Sequence, residues 1–129
     1  MPDNFDSFNS FHDWIFAGFC SDSQRSTAYL DLVSDNFEEH KTVIFTDVTR
    51  CLVTDYGVEN IVYSLDILSD FDSPKFMAAR GILDRSTPFG SGLPLKKIAV
   101  LTASFGGEAW IEYGTYRVMS KDNTKSLPD

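Results

Sequence analysis

Lys97-Ile98-Ala99-Val100-Leu101-Thr102-Ala103-Ser104 and Glu108-Ala109-Trp110-Ile111-Glu112-Tyr113-Gly114-Thr115-Tyr116-Arg117-Val118 flank the tripeptide Phe105-Gly106-Gly107. Two apolar, strand-prone arms on either side of Gly-Gly predict a β-hairpin. The tight turns that match the twist of paired strands need positive φ, which glycine adopts without steric cost. In the second arm Ala109, Ile111, Tyr113 and Thr115 alternate with Trp110, Glu112, Gly114 and Tyr116. Successive side chains on a strand point to opposite faces, so the two sets lie on the two sides of a sheet.

Upstream, four more segments have strand character. His12 to Phe19 is apolar after its opening His-Asp, as a strand buried on both faces would be. Ser21 to Ser26 is a polar loop, and Ala28 to Val33 alternates Leu30 and Leu32 against Tyr29, Asp31 and Val33. Thr42 to Val53 is rich in β-branched residues and long enough to bend, with Asp47 as the candidate bulge position. Asn60 to Leu68 fits two periods: Ile61, Tyr63, Leu65 and Ile67 at period two, or Val58, Ile61, Val62, Leu65 and Leu68 at helical spacing. Its β-branched and aromatic content selects strand.

One short helix is predicted. Asp72-Ser73-Pro74 supplies an N-cap and a proline at the first helical position, and Phe76, Ala79, Arg80 and Leu83 follow at helical spacing. A loop is expected from Asp84 to Pro94, whose prolines and glycines break any regular pattern. The expected architecture is therefore mainly β (α+β): an antiparallel curled sheet or sandwich of about six strands with one short helix. It forms a single domain over residues 1–129, with an ordered core at about 11–118 and a polar tail at 120–129.

A chain of 129 residues has enough apolar material for its own core, 43% by composition, including 11 Phe, 5 Tyr and 2 Trp. The formal charge is −8, a field that repels phosphate backbones and anionic headgroups. Nucleic-acid and membrane partners are therefore not expected. The same charge attracts a basic protein surface, although its commonest use is solubility. No apolar run approaches the roughly 20 residues that span a bilayer, and the opening residues carry no signal-peptide pattern, so a cytoplasmic location is expected. Cys20 and Cys51 are too few for a disulfide framework and are expected as reduced, mostly buried thiols.

Chemistry-bearing patterns are few. His12-Asp13 is the candidate polar site, since imidazole beside carboxylate recurs in acid–base chemistry. On a strand, however, the two would point to opposite faces. A metal site would need His12, His40 and carboxylates such as Asp31 or Asp47 to converge at a spacing that matches no ligand motif, so no metal and no cofactor are expected. The nucleophile elbow and the phosphate loop are absent from the sequence. Asp31, Asp47 and Asp55 are the candidate partner-binding residues, as members of an acidic patch.

Phe11-His12-Asp13, Leu30-Asp31-Leu32, Val43-Ile44-Phe45, Asp47-Val48, Asn60-Ile61-Val62 and Thr102-Ala103-Ser104-Phe105-Gly106-Gly107 leading into Trp110-Ile111-Glu112 together resemble small sheet-rich bacterial immunity proteins of polymorphic toxin systems, the immunity protein 50 type. The resemblance spans about residues 11 to 118, excludes the Pro74–Leu83 segment and its loop, and carries no functional residue across. It implies a non-enzymatic protein that binds a toxin and blocks it. The alternatives are a β-barrel or sandwich domain whose aromatics line a pocket for a small apolar molecule, an assembly protein, and an enzyme using His12.

Overall fold

The computed structural model describes residues 11–121, of which the strands β1 (Ile15–Asp22), β2 (Thr27–Val33), β3 (His40–Thr46), β4 (Arg50–Thr54), β5 (Ile61–Leu68), β6 (Lys97–Phe105), β7 (Glu108–Tyr113) and β8 (Thr115–Lys121) form the bulk. One helix, α1 (Pro74–Ser86), and a 3-10 turn at Pro88–Gly90 lie between β5 and β6. The strands make one antiparallel sheet in the order β4-β7-β6-β5-β1-β2-β3-β8, which is not closed.

Eight strands stand where six were expected, because the two longest each break at a shared corner. Thr46 pairs with Thr115 on one side of it and Arg50 with Glu112 on the other. Residues 47–49 therefore oppose only residues 113–114, one extra residue on the first chain, which is a bulge. Asp47 occupies it with φ 55°, and Gly114 donates its N–H to the Thr46 carbonyl at 2.9 Å. A Cβ on Gly114 would lie 2.9 Å from the Asp47 side chain, so only glycine lets the strands stay paired through the bend. The corner puts β4–β7 at one end of the strand order and β3–β8 at the other, and the sheet curls back on itself, as bent strands do at sheet corners.

The concave face holds the main core, with Phe16, Leu30, Leu32, Phe45, Leu101 and Ile111 fully buried. Leu30 and Leu32 alternate inward as their spacing predicts. Three other expectations are corrected. β1 begins at Ile15 and is not buried on both faces, since Ala17 and Cys20 are exposed. A bulge at Tyr63 shifts the phase of β5, so Val62, Leu65 and Ile67 point inward and Tyr63 outward. The corner at Gly114 likewise leaves Thr115 exposed and turns Tyr116 toward the core.

Ser73 caps α1, its Oγ accepting the Phe76 N–H at 3.1 Å, and Pro74 follows at the first helical position. The helix runs three residues past Leu83, so the expected loop at Asp84 starts later and contains the 3-10 turn. Phe76, Ala79 and Leu83 pack on Ile98, Leu68 and Trp110, the convex face of the sheet. The expected polar tail begins inside β8, and residues 122–129 lie outside the described residues. Among the described residues no helix is long and apolar enough to cross a membrane.

Both cysteines are free, but Cys20 is exposed where burial was expected, because the bulge before Gly18 places it on the uncovered convex face of β1. Cys51 is half-buried, and burial pushes its thiol pKa up. Thiolate fraction and access set thiol reactivity. In a thiol titration of the native protein one group should react at the rate of an open thiol and the second only after unfolding. Two slow groups would contradict this placement.

Candidate functional site

On the convex face the pairing register lays side chains in rows across β5, β6, β7 and β4. The first row is Leu68–Ile98–Glu112–Arg50. Arg50 and Glu112 are opposite charges directly across the strand pair, and α1 covers both, leaving Arg50 4% and Glu112 1% exposed. Such a pair survives burial only if its remaining groups are hydrogen-bonded. Arg50 donates Nε to Glu112 Oε1 at 3.0 Å and Nη2 to Oε2 at 2.9 Å, and Thr49 Oγ1 donates to Oε1 at 2.6 Å. Arg50 Nη1 reaches Asp84 Oδ1 at 2.8 Å and the Thr87 carbonyl at 3.0 Å. Arg80 Nη1 stands 3.6 Å from Glu112, and its Nη2 donates to the carbonyls of Ser91 and Leu93. Burial alone would raise the Glu112 pKa, but the hydrogen bonds from Arg50 and Thr49 and the charges of Arg50 and Arg80 hold it below the ordinary glutamate value. Hydrogen bonding to Glu112 outweighs desolvation at Arg50 and raises its pKa. The cluster ties the end of α1 and the loop after it to the sheet, which fixes the height of the helix over the next rows.

The second row is Asp66–Val100–Trp110–Leu52, and in the third Ser64 faces Thr102. Here α1 presents Lys75, Ala78, Ala79 and Ile82, too short on the alanine side to fill the gap, and a groove of about 440 Å³ remains. Trp110 and Val100 form an apolar floor. Ser64 Oγ and Thr102 Oγ1 are 2.7 Å apart, and Ser64 Oγ donates to Asp66 Oδ2 at 3.2 Å, which holds that carboxylate at the groove edge. A smaller hollow shares Asp66, Leu68 and Lys75 with the groove and adds Asp70 and Ser73.

Tyr63, turned outward by its bulge, is part of the groove wall, and the His12 ring meets it edge-on at 5.4 Å. His12 Nδ1 donates to the Tyr63 carbonyl at 2.8 Å, and its Nε2 lies 3.5 Å from Asp13 Oδ1. The candidate pair thus meets, contrary to the opposite-face expectation. It lies in a turn before β1, where Asp13 has φ 70°. Both side chains are more than half exposed and border the groove through Tyr63.

The three candidate partner-binding carboxylates are distributed. Asp31 lies on the convex face of β2, where it accepts from Thr42 Oγ1 at 2.7 Å, and His40 Nε2 is 3.9 Å away. Asp47, at the corner, is 3.2 Å from Lys96 Nζ. Asp55 is exposed just past the far end of β4, and five strand residues extend about 17 Å. Among the described residues no group of three candidate ligands could hold a metal.

Asp66 was legible only as one of many acids, and nothing in the one-dimensional pattern pairs it with Trp110. Arg50 and Glu112 did leave a signal: opposite charges inside two strands whose other residues are apolar or β-branched. Comparisons with protein-family models, with curated proteins and with solved structures found no match to this chain.

Proposed function

We propose that this protein is a non-catalytic binding protein that captures a basic protein partner, in the manner of an immunity protein blocking a bacterial toxin. The placement of charge carries the proposal. The buried cation Arg50 and the partly buried Arg80 are matched by Glu112 and Asp84, so the formal −8 falls on the rest of the chain. Exposed acids such as Asp55 and the corner residue Asp47 contribute to a field that steers a basic surface in and speeds encounter.

The test is capture of the partner from the native host, followed by association kinetics. The association rate should fall at least about tenfold between 50 and 500 mM salt, as steered encounter does. Asp55→Lys should slow association severalfold with little change in dissociation, and one equivalent of the protein should abolish the partner's activity. A salt-independent rate, or chemical turnover of the partner, overturns the proposal. The size of the groove favours a second reading, a small-molecule-binding domain, since ligand sites run from about 300 to 1,000 Å³. Native mass spectrometry of protein taken from its host would reveal such a ligand.

A further inference from the structure

We infer that the groove between α1 and the convex face of β5, β6 and β7 binds a lysine or arginine side chain of the partner, stem on the apolar floor and charged head at Asp66. The inference takes the sign of the partner's charge from the proposed function and adds where, and through which atoms, that charge is read.

Three features of the groove converge on a cation with an apolar stem. The first is register: Asp66, Val100 and Trp110 occupy one cross-strand row, so a carboxylate and an indole bracket a valine on the same face. Neighbouring strands are about 4.8 Å apart, so Asp66 and Trp110 stand about 10 Å apart across Val100, room for a lysine or arginine stem to lie on the valine with its head at the carboxylate. The second is aromatic lining. Tyr63 lines the groove on the strand that carries Asp66, where an aromatic ring attracts an ammonium or guanidinium head through its quadrupole, and Trp110 gives the stem a broad apolar surface. The third is an acceptor held in place: the Ser64 hydroxyl, itself paired with Thr102, donates to Asp66 and fixes the carboxylate before any ligand arrives. Asp70 in the adjoining hollow adds a second negative group, against the single cation Lys75.

Long basic side chains bury their methylenes on apolar surface while keeping the charge at a polar edge, the arrangement this row offers. The uncharged remainder of the floor, Val100 and Trp110 under Ile82, would exclude water from the stem. An acidic side chain of similar length would set its charge against Asp66 and the aromatic faces.

Blocked tripeptides Ac-Leu-Lys-Leu-NH2, Ac-Leu-Arg-Leu-NH2 and Ac-Leu-Glu-Leu-NH2 test this on the intact chain, with the indole N–H resonances of Trp110 and Trp14 as site and control. The lysine and arginine peptides should shift Trp110 saturably and leave Trp14 in place, and the glutamate peptide should bind about three- to fivefold more weakly, the size of one half-exposed ion pair. Asp66→Asn should erase that preference without unfolding the chain, and Ala78→Phe should fill the groove and abolish the Trp110 response to all three. Equal binding of the basic and acidic peptides, a preference for glutamate, or no Trp110 response to any peptide overturns the inference. The peptides need no native partner. Loss of salt-dependent partner capture would refute the proposed function while this titration stands or fails separately.

Discussion

Glu112→Gln should lower the stability of the domain by about 3–5 kcal/mol, the cost of leaving a buried cation without its partner. The amide keeps the shape but cannot accept from Arg50 through two anionic oxygens, and Arg80 loses its counter-charge as well. Asp84→Asn should cost far less, because the Asp84 side chain is 38% exposed and water screens its pair with Arg50. Urea denaturation of the two variants against the parent is the measurement. A loss below about 1 kcal/mol for Glu112→Gln would mean the cluster is solvated and not buried.

The same variant should change the response to acid. The Glu112 pKa is lowered in the folded state, so its contribution is complete above the ordinary glutamate value, about 4.3, and is lost as pH falls through the lower folded value. Stability of the parent should therefore decline over that acid window, and Glu112→Gln should flatten that part of the decline. The raised pKa of Arg50 acts only at the alkaline extreme, where its contribution is lost as pH climbs through the folded value.

The second large effect is expected at Asn60. This side chain is 2% exposed and joins two loops: its Oδ1 accepts the N–H groups of Gly57 at 2.9 Å and Gly107 at 2.8 Å, and its Nδ2 donates to the Gly57 carbonyl at 2.8 Å. Asn60→Ala orphans the buried Gly107 N–H and frees the Gly57 turn, a loss of about 2–4 kcal/mol. Gly106→Ala should be comparably damaging. The φ of +86° disfavours any Cβ, and that Cβ would sit 2.5 Å from both Asn60 Oδ1 and the Glu59 carbonyl. Gly92→Ala is the control, since a Cβ there meets nothing within 4 Å. Thermal melts should rank Gly92→Ala near the parent and the other two well below it. Equal melting of all three would remove Asn60 as the anchor of the hairpin. Because β7 carries Trp110, the Asn60 variant should also broaden the Trp110 indole signal, linking the turn to the groove floor.

Features set by a residue and its near neighbours are legible in the sequence. Gly106-Gly107 marks the β6–β7 hairpin because positive φ is a property of the residue itself. Ser73-Pro74 marks the start of α1 because capping and a pre-set φ act within one turn. The strand character of Ile61–Leu68 followed from its β-branched and aromatic residues. The break at Asp47 was legible as a bulge, but not that Gly114 would break opposite it. That coincidence needs Thr46 paired with Thr115, a contact between distant parts of the chain.

Facing and burial depended on such long-range pairing. One bulged residue reverses every side chain after it, so Tyr63 and Tyr116 took the side opposite to strict alternation. Arg50 and Glu112 are 62 residues apart and meet only because β4 pairs with β7 under α1.

The sequence by itself determined the class of the fold, the hairpin turn, the helix start and the net charge, since each depends on the residues present and their near neighbours. Tertiary structure alone decided the corner that curls the sheet, the neutral cluster that holds α1 above it, and the groove where Asp66 and Trp110 share a row. The physical reason is that a cross-strand row is set by register, and register is the sum of every bulge and turn between the strands it joins.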